Sequence, residues 1–189
     1  MKPMIKITFT LAIVCTLAAA GLAAVNQVTQ KAIKENSQKE LQESLVKIFP
    51  AAEHFESVSL PTPSAGNLKE GKDFSLLELY QAKQGDNKIG YVFKVGTQGY
   101  GGQITLLIAI STQDQKMIGM KILEHQETPG LGSEITSSRF LNQFLEKPLT
   151  DPYQLNQDIQ ALSGATISSK AIVRACQGVL TFLKEGANQ

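Results

Sequence analysis

From residue 7 to residue 30 the chain carries no charged side chain, and residues 7–25 are strongly apolar. As a helix rising 1.5 Å per residue, those ~19 residues reach roughly 28 Å, the hydrocarbon thickness of a bilayer. Lys2 and Lys6 precede the run. By the positive-inside rule they place the N-terminus in the cytoplasm and the rest of the chain outside it. A cleavable signal peptide competes with this reading, because small residues at 18–20 or 22–24 resemble a cleavage site. The run is longer than a typical signal core, however. Residues 26–48 also continue in helical register, with Ile33, Leu41, Leu45 and Ile48 spaced among Lys, Glu and Gln and no Gly or Pro before Pro50. A retained anchor is favoured, and both readings deliver the remainder to one compartment. The chain therefore divides into a cytoplasmic N-terminus and transmembrane anchor (1–28), a juxtamembrane helix (29–50) and an extracytoplasmic domain (51–189).

The 189 residues carry a formal net charge of +1. Setting aside Lys2 and Lys6 leaves 16 basic against 17 acidic residues, so no basic field argues for nucleic acid. Cys15 lies in the apolar run and Cys176 in a predicted helix far along the chain, neither in a CxxC context. No disulfide, thiol redox motif or zinc site is expected.

Beyond Pro50 the pattern is strands first and helices later. Residues 60–67, Leu-Pro-Thr-Pro-Ser-Ala-Gly-Asn, read as a loop. Residues 76–82 and 90–95 read as strands joined by a turn at 85–88, hence a hairpin. Residues 103–110 read as a buried strand and 116–124 as the next. Residues 137–145 form a helix with Phe140, Leu141 and Phe144 on one face, and 167–184 a final amphipathic helix. This order predicts an α+β fold with an antiparallel sheet and packed helices.

The most informative stretch is Ser163-Gly164-Ala165-Thr166, small residues directly before the last helix. A helix start offers free N–H groups and the positive end of the dipole, which together favour an anion such as a phosphate. Thr166 would sit there with its hydroxyl facing the anion. The ordinary reading is capping, since Ser and Thr are preferred N-caps and Ser163 or Thr166 could serve only that role.

Ser163-Gly164-Ala165-Thr166 resembles the SGAT flavinylation motif of the FMN-binding-domain family. Gly99-Tyr100-Gly101-Gly102 is similar to that family's GYGG turn, and Glu127-Thr128-Pro129-Gly130-Leu131-Gly132 to its ETPGLG loop. The three occur in the family's order. With the anchor and the chain length, they resemble the G subunit of the Rnf electron transport complex, related to the C subunit of the sodium-pumping NADH:quinone reductase. The resemblance implies FMN bound covalently, as a phosphoester on Thr166, installed by a dedicated flavin transferase. It implies cofactor contacts from Ser163, Gly164, Ala165, Tyr100, Gly101, Glu127, Thr128, Gly130 and Leu131, with Lys170 as a partner for the phosphate. It implies an electron-carrier subunit of a translocase coupling ferredoxin/NAD electron transfer to ion movement. Its partners would be other membrane subunits, and its flavin domain would lie on the outer face of the bacterial cytoplasmic membrane. One position departs from the family: an Asp often stands three residues before the Ser of the motif, where this chain has Gln160, with Asp158 the nearest acid.

His125 and Glu127 share a side of an extended segment, but without a third ligand no metal is expected. Tyr100 stacks on the flavin or packs under its loop; Phe140 and Phe144 read as core. Gly130 and Gly132 would let the loop approach the isoalloxazine ring, or serve a plain Pro-Gly turn. Two other classes of protein carry similar features. One is a flavinylated anchored protein of another respiratory or extracellular electron-transfer system. The other is a non-redox exported binding or scaffold domain whose Ser163–Thr166 segment only caps a helix.

Overall fold

The computed structural model describes residues 2–58 and 74–186; the loop expected at 60–67 lies outside the described residues. The chain forms two compact units, Met1–Glu43 and Ser44–Gln189. Helix α1 runs from Lys2 to Ile48 without a break, ending just before Pro50. In the first unit its apolar side chains stand exposed on every side, among them Ile7, Phe9, Leu11, Leu17 and Val25. A helix that is apolar all round fits a hydrocarbon surround rather than water. Its length and composition suffice to cross a membrane.

The second unit is built on a six-stranded antiparallel sheet in simple sequential order. Its strands are β1 (His54–Val58), β2 (Phe74–Gln84), β3 (Asn87–Gln98), β4 (Gln103–Ser111), β5 (Lys116–His125) and β6 (Lys147–Pro148). β2 and β3 form the expected hairpin, closed by the pair Gln84 and Asn87 around Gly85, whose φ of 57° suits glycine. After β5 come a 3-10 turn (Gly132–Thr136), the short helix α2 (Ser138–Leu141) and finally α3 (Thr166–Gly186).

β4 explains the layering. Leu106 to Ile110 are all fully buried, so both faces of the strand are covered. A near-continuous apolar run is the sequence mark of such a strand. On one face Phe93, Val95, Leu106, Ile108 and Ile110 join Ala171, Ile172, Ala175, Cys176 and Val179 of α3 in the main core. On the other face the end of α1 supplies the cover. A Cβ on Gly119 would strike the Ile48 carbonyl, a Cβ on Gly90 would strike the Phe49 ring, and Lys121 Nζ donates to the buried Ser44 hydroxyl at 2.6 Å. The two glycines thus leave a shallow seat across β3–β5 for Ile48 and Phe49.

The helix expected over 137–145 is α-helical only from Ser138 to Leu141. It goes on as i→i+3 turns, with the N–H groups of Gln143, Phe144 and Leu145 bonded to Phe140, Leu141 and Asn142, until Glu146 at φ 56° sends the chain back into β6. The return needed to reach the edge of β5 cuts the helix short. Phe140 and Phe144 are fully buried and meet edge to face, with ring centroids 5.4 Å apart. Strands β1 and β6 had no signal in the sequence; both are edge strands, and β6 is two residues long.

The seat for Ile48 leaves no room for a side chain at 119. Gly119→Val is expected to lower the unfolding free energy of the full chain in detergent by about 2 kcal/mol, the usual penalty for overpacking a filled contact. Urea titration followed by far-UV circular dichroism measures it.

Candidate functional site

The three motif segments arrive at one end of α3 from three different elements. Gly99-Tyr100-Gly101-Gly102 is the reverse turn between β3 and β4, closed by the Gly99 N–H to the Gly102 carbonyl at 2.9 Å. Thr128-Pro129-Gly130-Leu131 is a turn after β5, closed by the Leu131 N–H to the Thr128 carbonyl at 3.2 Å. Proline second and glycine third, with Gly130 at φ 75°, is the pattern of a type II turn. Leu162-Ser163-Gly164-Ala165 repeats it: the Ala165 N–H bonds the Leu162 carbonyl at 3.1 Å, and Gly164 is also at φ 75°. Ser169 fixes that last turn on α3 by accepting from the Leu162 N–H at 3.1 Å while donating to the Ala165 carbonyl at 2.9 Å.

Thr166 is therefore the first helical residue and Ala165 the cap position, since the Ala165 carbonyl accepts the first helical N–H, from Ser169. Ala165 is buried, whereas Ser163 and Thr166 are exposed. Neither hydroxyl makes a hydrogen bond among the described residues, so the capping role open to them in the sequence goes unused. The N–H groups of Thr166, Ile167 and Ser168 likewise meet no acceptor among the described residues. An uncapped helix start beside a free hydroxyl suits an anion joined or held at that point.

Around it lies a cleft of about 310 Å³ lined by Tyr100, Glu127, Thr128, Leu131, Gly132, Gly164, Ala165, Thr166, Ile167 and Ser168. Its walls carry large apolar groups open to solvent: Tyr100 is 72% exposed, Ile167 52% and Leu131 51%. Eight residues named from the sequence meet here: Tyr100, Glu127, Thr128, Leu131, Gly132, Gly164, Ala165 and Thr166. Four others stand outside the lining. Ser163 and Lys170 are exposed, Gly130 shapes its turn with open space above it, and Gly101 abuts the Gln126 carbonyl. Gly132 faces the Glu127 carboxylate. Ile167 and Ser168 enter the site through the structure alone. Their only signal in the sequence was their place in the first turn of a helix.

Glu127 is the charged group of the cleft lining and is buried, 5% exposed, next to Ser168 at 1%. Its Oε1 accepts from the N–H groups of Tyr100 at 2.9 Å and Gly101 at 3.3 Å, and its Oε2 from Ser168 Oγ at 2.8 Å. Its own N–H donates to His125 Nδ1 at 3.3 Å.

The segment leading into the motif is held by a second charged group. Asp158 accepts from the N–H groups of Tyr153 and Gln154 at 2.9 and 2.6 Å and pairs with Lys147 at 3.1 Å; Lys147 also meets Asp151 at 2.8 Å. Asp158 is thus committed to its own loop. Gln160 instead exchanges both backbone groups with the Gln143 amide, its N–H donating at 2.7 Å and its carbonyl accepting at 3.2 Å. Nearby, burial pushes the Cys176 thiol well up, which marks it as a packing residue rather than a reactive one. Burial pushes the Asp158 carboxyl up, but the Gln154 and Tyr153 N–H groups and the Lys147 ammonium outweigh it and hold it below the ordinary 3.8. Burial alone would lower Lys147, but Asp151 and Asp158 hold it above its ordinary 10.5.

The chain matches the FMN-binding domain over residues 99–181 and the RnfG N-terminal region over residues 1–48. It is 30% identical to the G subunit of the ion-translocating oxidoreductase complex of Methanosarcina acetivorans, over 96% of this chain and 95% of that one. It is 32% identical to the G subunit of the proton-translocating ferredoxin:NAD(+) oxidoreductase complex of Clostridium ljungdahlii, over 93% and 91%. It is 31% identical to the G subunit of the Na(+)-translocating ferredoxin:NAD(+) oxidoreductase complex of Acetobacterium woodii, over 90% and 87%.

The ion pair fixes a pH dependence. A carboxyl whose folded value is lowered stabilises the native state fully above its unfolded value, and the benefit is lost as pH falls through the folded one. The raised Lys147 contributes below its ordinary value and loses that contribution only as pH climbs past its folded one. Asp158→Asn is expected to cost about 2 kcal/mol at pH 7. Urea titrations should show the gap from the wild-type chain narrowing as pH falls below the ordinary value of 3.8 and through the lowered folded one.

Proposed function

Since this chain belongs to the G-subunit family of ion-translocating oxidoreductase complexes and carries that family's FMN-binding domain, we propose that it is an anchored electron carrier with its FMN esterified to Thr166. The observation that carries the reading is the exposed Thr166 at an uncapped helix start, in the lining of a cleft to which all three motifs contribute.

The chemistry of the residues fits the group. Phosphoester formation joins the Thr166 oxygen to the flavin phosphorus; the hydroxyl proton is lost, a P–O bond breaks with its leaving group (net, water relative to free FMN), and one negative charge stays on the phosphate. The free N–H groups of α3 and its dipole stabilise such a charge by about 0.3–1 kcal/mol or more. Lys170, one turn along and exposed, adds little in water. Leu131, Ile167 and Tyr100 offer apolar surface against a planar ring. Bound FMN would supply the redox chemistry, while the protein fixes its place and tunes its potential.

In this reading the anchor occupies the first 28 residues, with Lys2 and Lys6 in the cytoplasm and the flavin domain on the outer side. Permanent attachment suits that side, where a released flavin is not recovered. A single span with no charge between residues 7 and 30 has no group with which to carry an ion, so translocation belongs to the assembled complex. Gly21 and the alanines around it give the span a small-residue face for neighbouring membrane subunits.

Coexpression with a flavin transferase should add one FMN, less water, to the intact mass of the wild-type chain. Thr166→Val should abolish the addition and Thr166→Ser should retain it. A wild-type chain that stays unmodified beside an active transferase sinks the proposal.

A further inference from the structure

Glu127 has ties that flavin chemistry alone does not call for. Both of its carboxylate oxygens are taken by the protein, one by the Tyr100 and Gly101 N–H groups and the other by the Ser168 hydroxyl. Space has been cleared for it from two directions. A Cβ on Gly99 would strike Oε1 and a Cβ on Gly132 would strike Oε2. One glycine belongs to the β3–β4 turn and the other to the loop after β5. Ser168, the partner on the third segment, lies two residues from Thr166 on the first turn of α3. A buried carboxylate bonded by three donors from two separate segments joins them, because leaving any donor or oxygen unpaired there costs more than a surface contact would.

We propose that Glu127 is a positioning residue: through Ser168 it locks the tip of α3 to the β3–β4 turn and so sets where the Thr166 hydroxyl stands relative to the cleft walls. The inference rests on the attachment reading for its functional meaning, while its physical content concerns the protein alone. Substitutions at two positions separate shape from charge. In Glu127→Gln the amide oxygen still accepts from the Tyr100 N–H, and the amide nitrogen can donate to Ser168 Oγ. Glu127→Ala removes every tie, and Ser168→Ala removes only the one to the helix.

The test uses the full chain in detergent and two readouts. Amide hydrogen exchange at Tyr100 and Gly101 should be at least about tenfold faster in Glu127→Ala, and near wild type in Glu127→Gln. The initial rate of flavinylation by the transferase should fall about tenfold or more in Glu127→Ala and in Ser168→Ala, and be rescued in Glu127→Gln. Unchanged exchange at Tyr100 and Gly101 in Glu127→Ala overturns the proposal. So does flavinylation of Ser168→Ala at the wild-type rate, or a Glu127→Gln chain as slow as Glu127→Ala. If Glu127→Ala does not fold, the contrast between Glu127→Gln and Ser168→Ala decides. If the wild-type chain takes no flavin, the Thr166 reading fails on its own, and the exchange comparison still decides whether Glu127 holds the turn.

Discussion

A strand buried on both faces needs a cover on each side, and β4 imposes that demand on the whole second unit. Its fully buried stretch from Leu106 to Ile110 leaves no side chain for water. α3 supplies one cover through Ala171, Ile172, Ala175 and Val179, and the end of α1 supplies the other through Ile48 and Phe49. Once α3 lies along one face, its first residue has to emerge near the end of the sheet where β3 turns into β4 and β5 runs out. The meeting of the three motif segments is thus a consequence of how the core is covered.

What that geometry brings close still has to be held there. Two type II turns, each with its glycine at φ 75°, shape the loops on either side of the helix tip. Ser169 ties one turn to α3, and Glu127 ties α3 to the turn between β3 and β4. These polar bonds are buried or half-buried, so each is worth more than a fully exposed counterpart. The helix start itself is left without a cap. Among the described residues, that gap sets the first turn of α3 apart from a capped helix end.

The long apolar N-terminal helix was legible because a run without charge admits few other readings, and α3 because its apolar positions repeat at helical spacing. β4 was legible as buried through its unbroken apolar run. β1 and β6 were not, because edge pairing is decided by neighbours and leaves little mark on the strand itself. The seat formed by Gly90 and Gly119 was equally silent: a glycine in a strand says that something comes close, not what. At the site, residue chemistry alone favoured a capping role for Thr166, and family resemblance pointed past it. Glu127 could be placed in the cleft by its motif. That its carboxylate would be used up by Tyr100, Gly101 and Ser168 depends on contacts between segments far apart in sequence, which no local pattern records.

On the attachment reading proposed above, the burial of Ala165 beside the exposed Thr166 bears on how a modifying enzyme would reach the hydroxyl. Ser163, Gly164 and Thr166 are exposed, but Ala165 is enclosed, as are Ser168 and Ser169 just beyond, so the four residues stand in a fixed turn. What a transferase would meet is a corner: a hydroxyl beside a glycine turn, backed by a helix. Recognition by shape would make maturation a proofreading step, in which only chains that have completed their fold acquire colour.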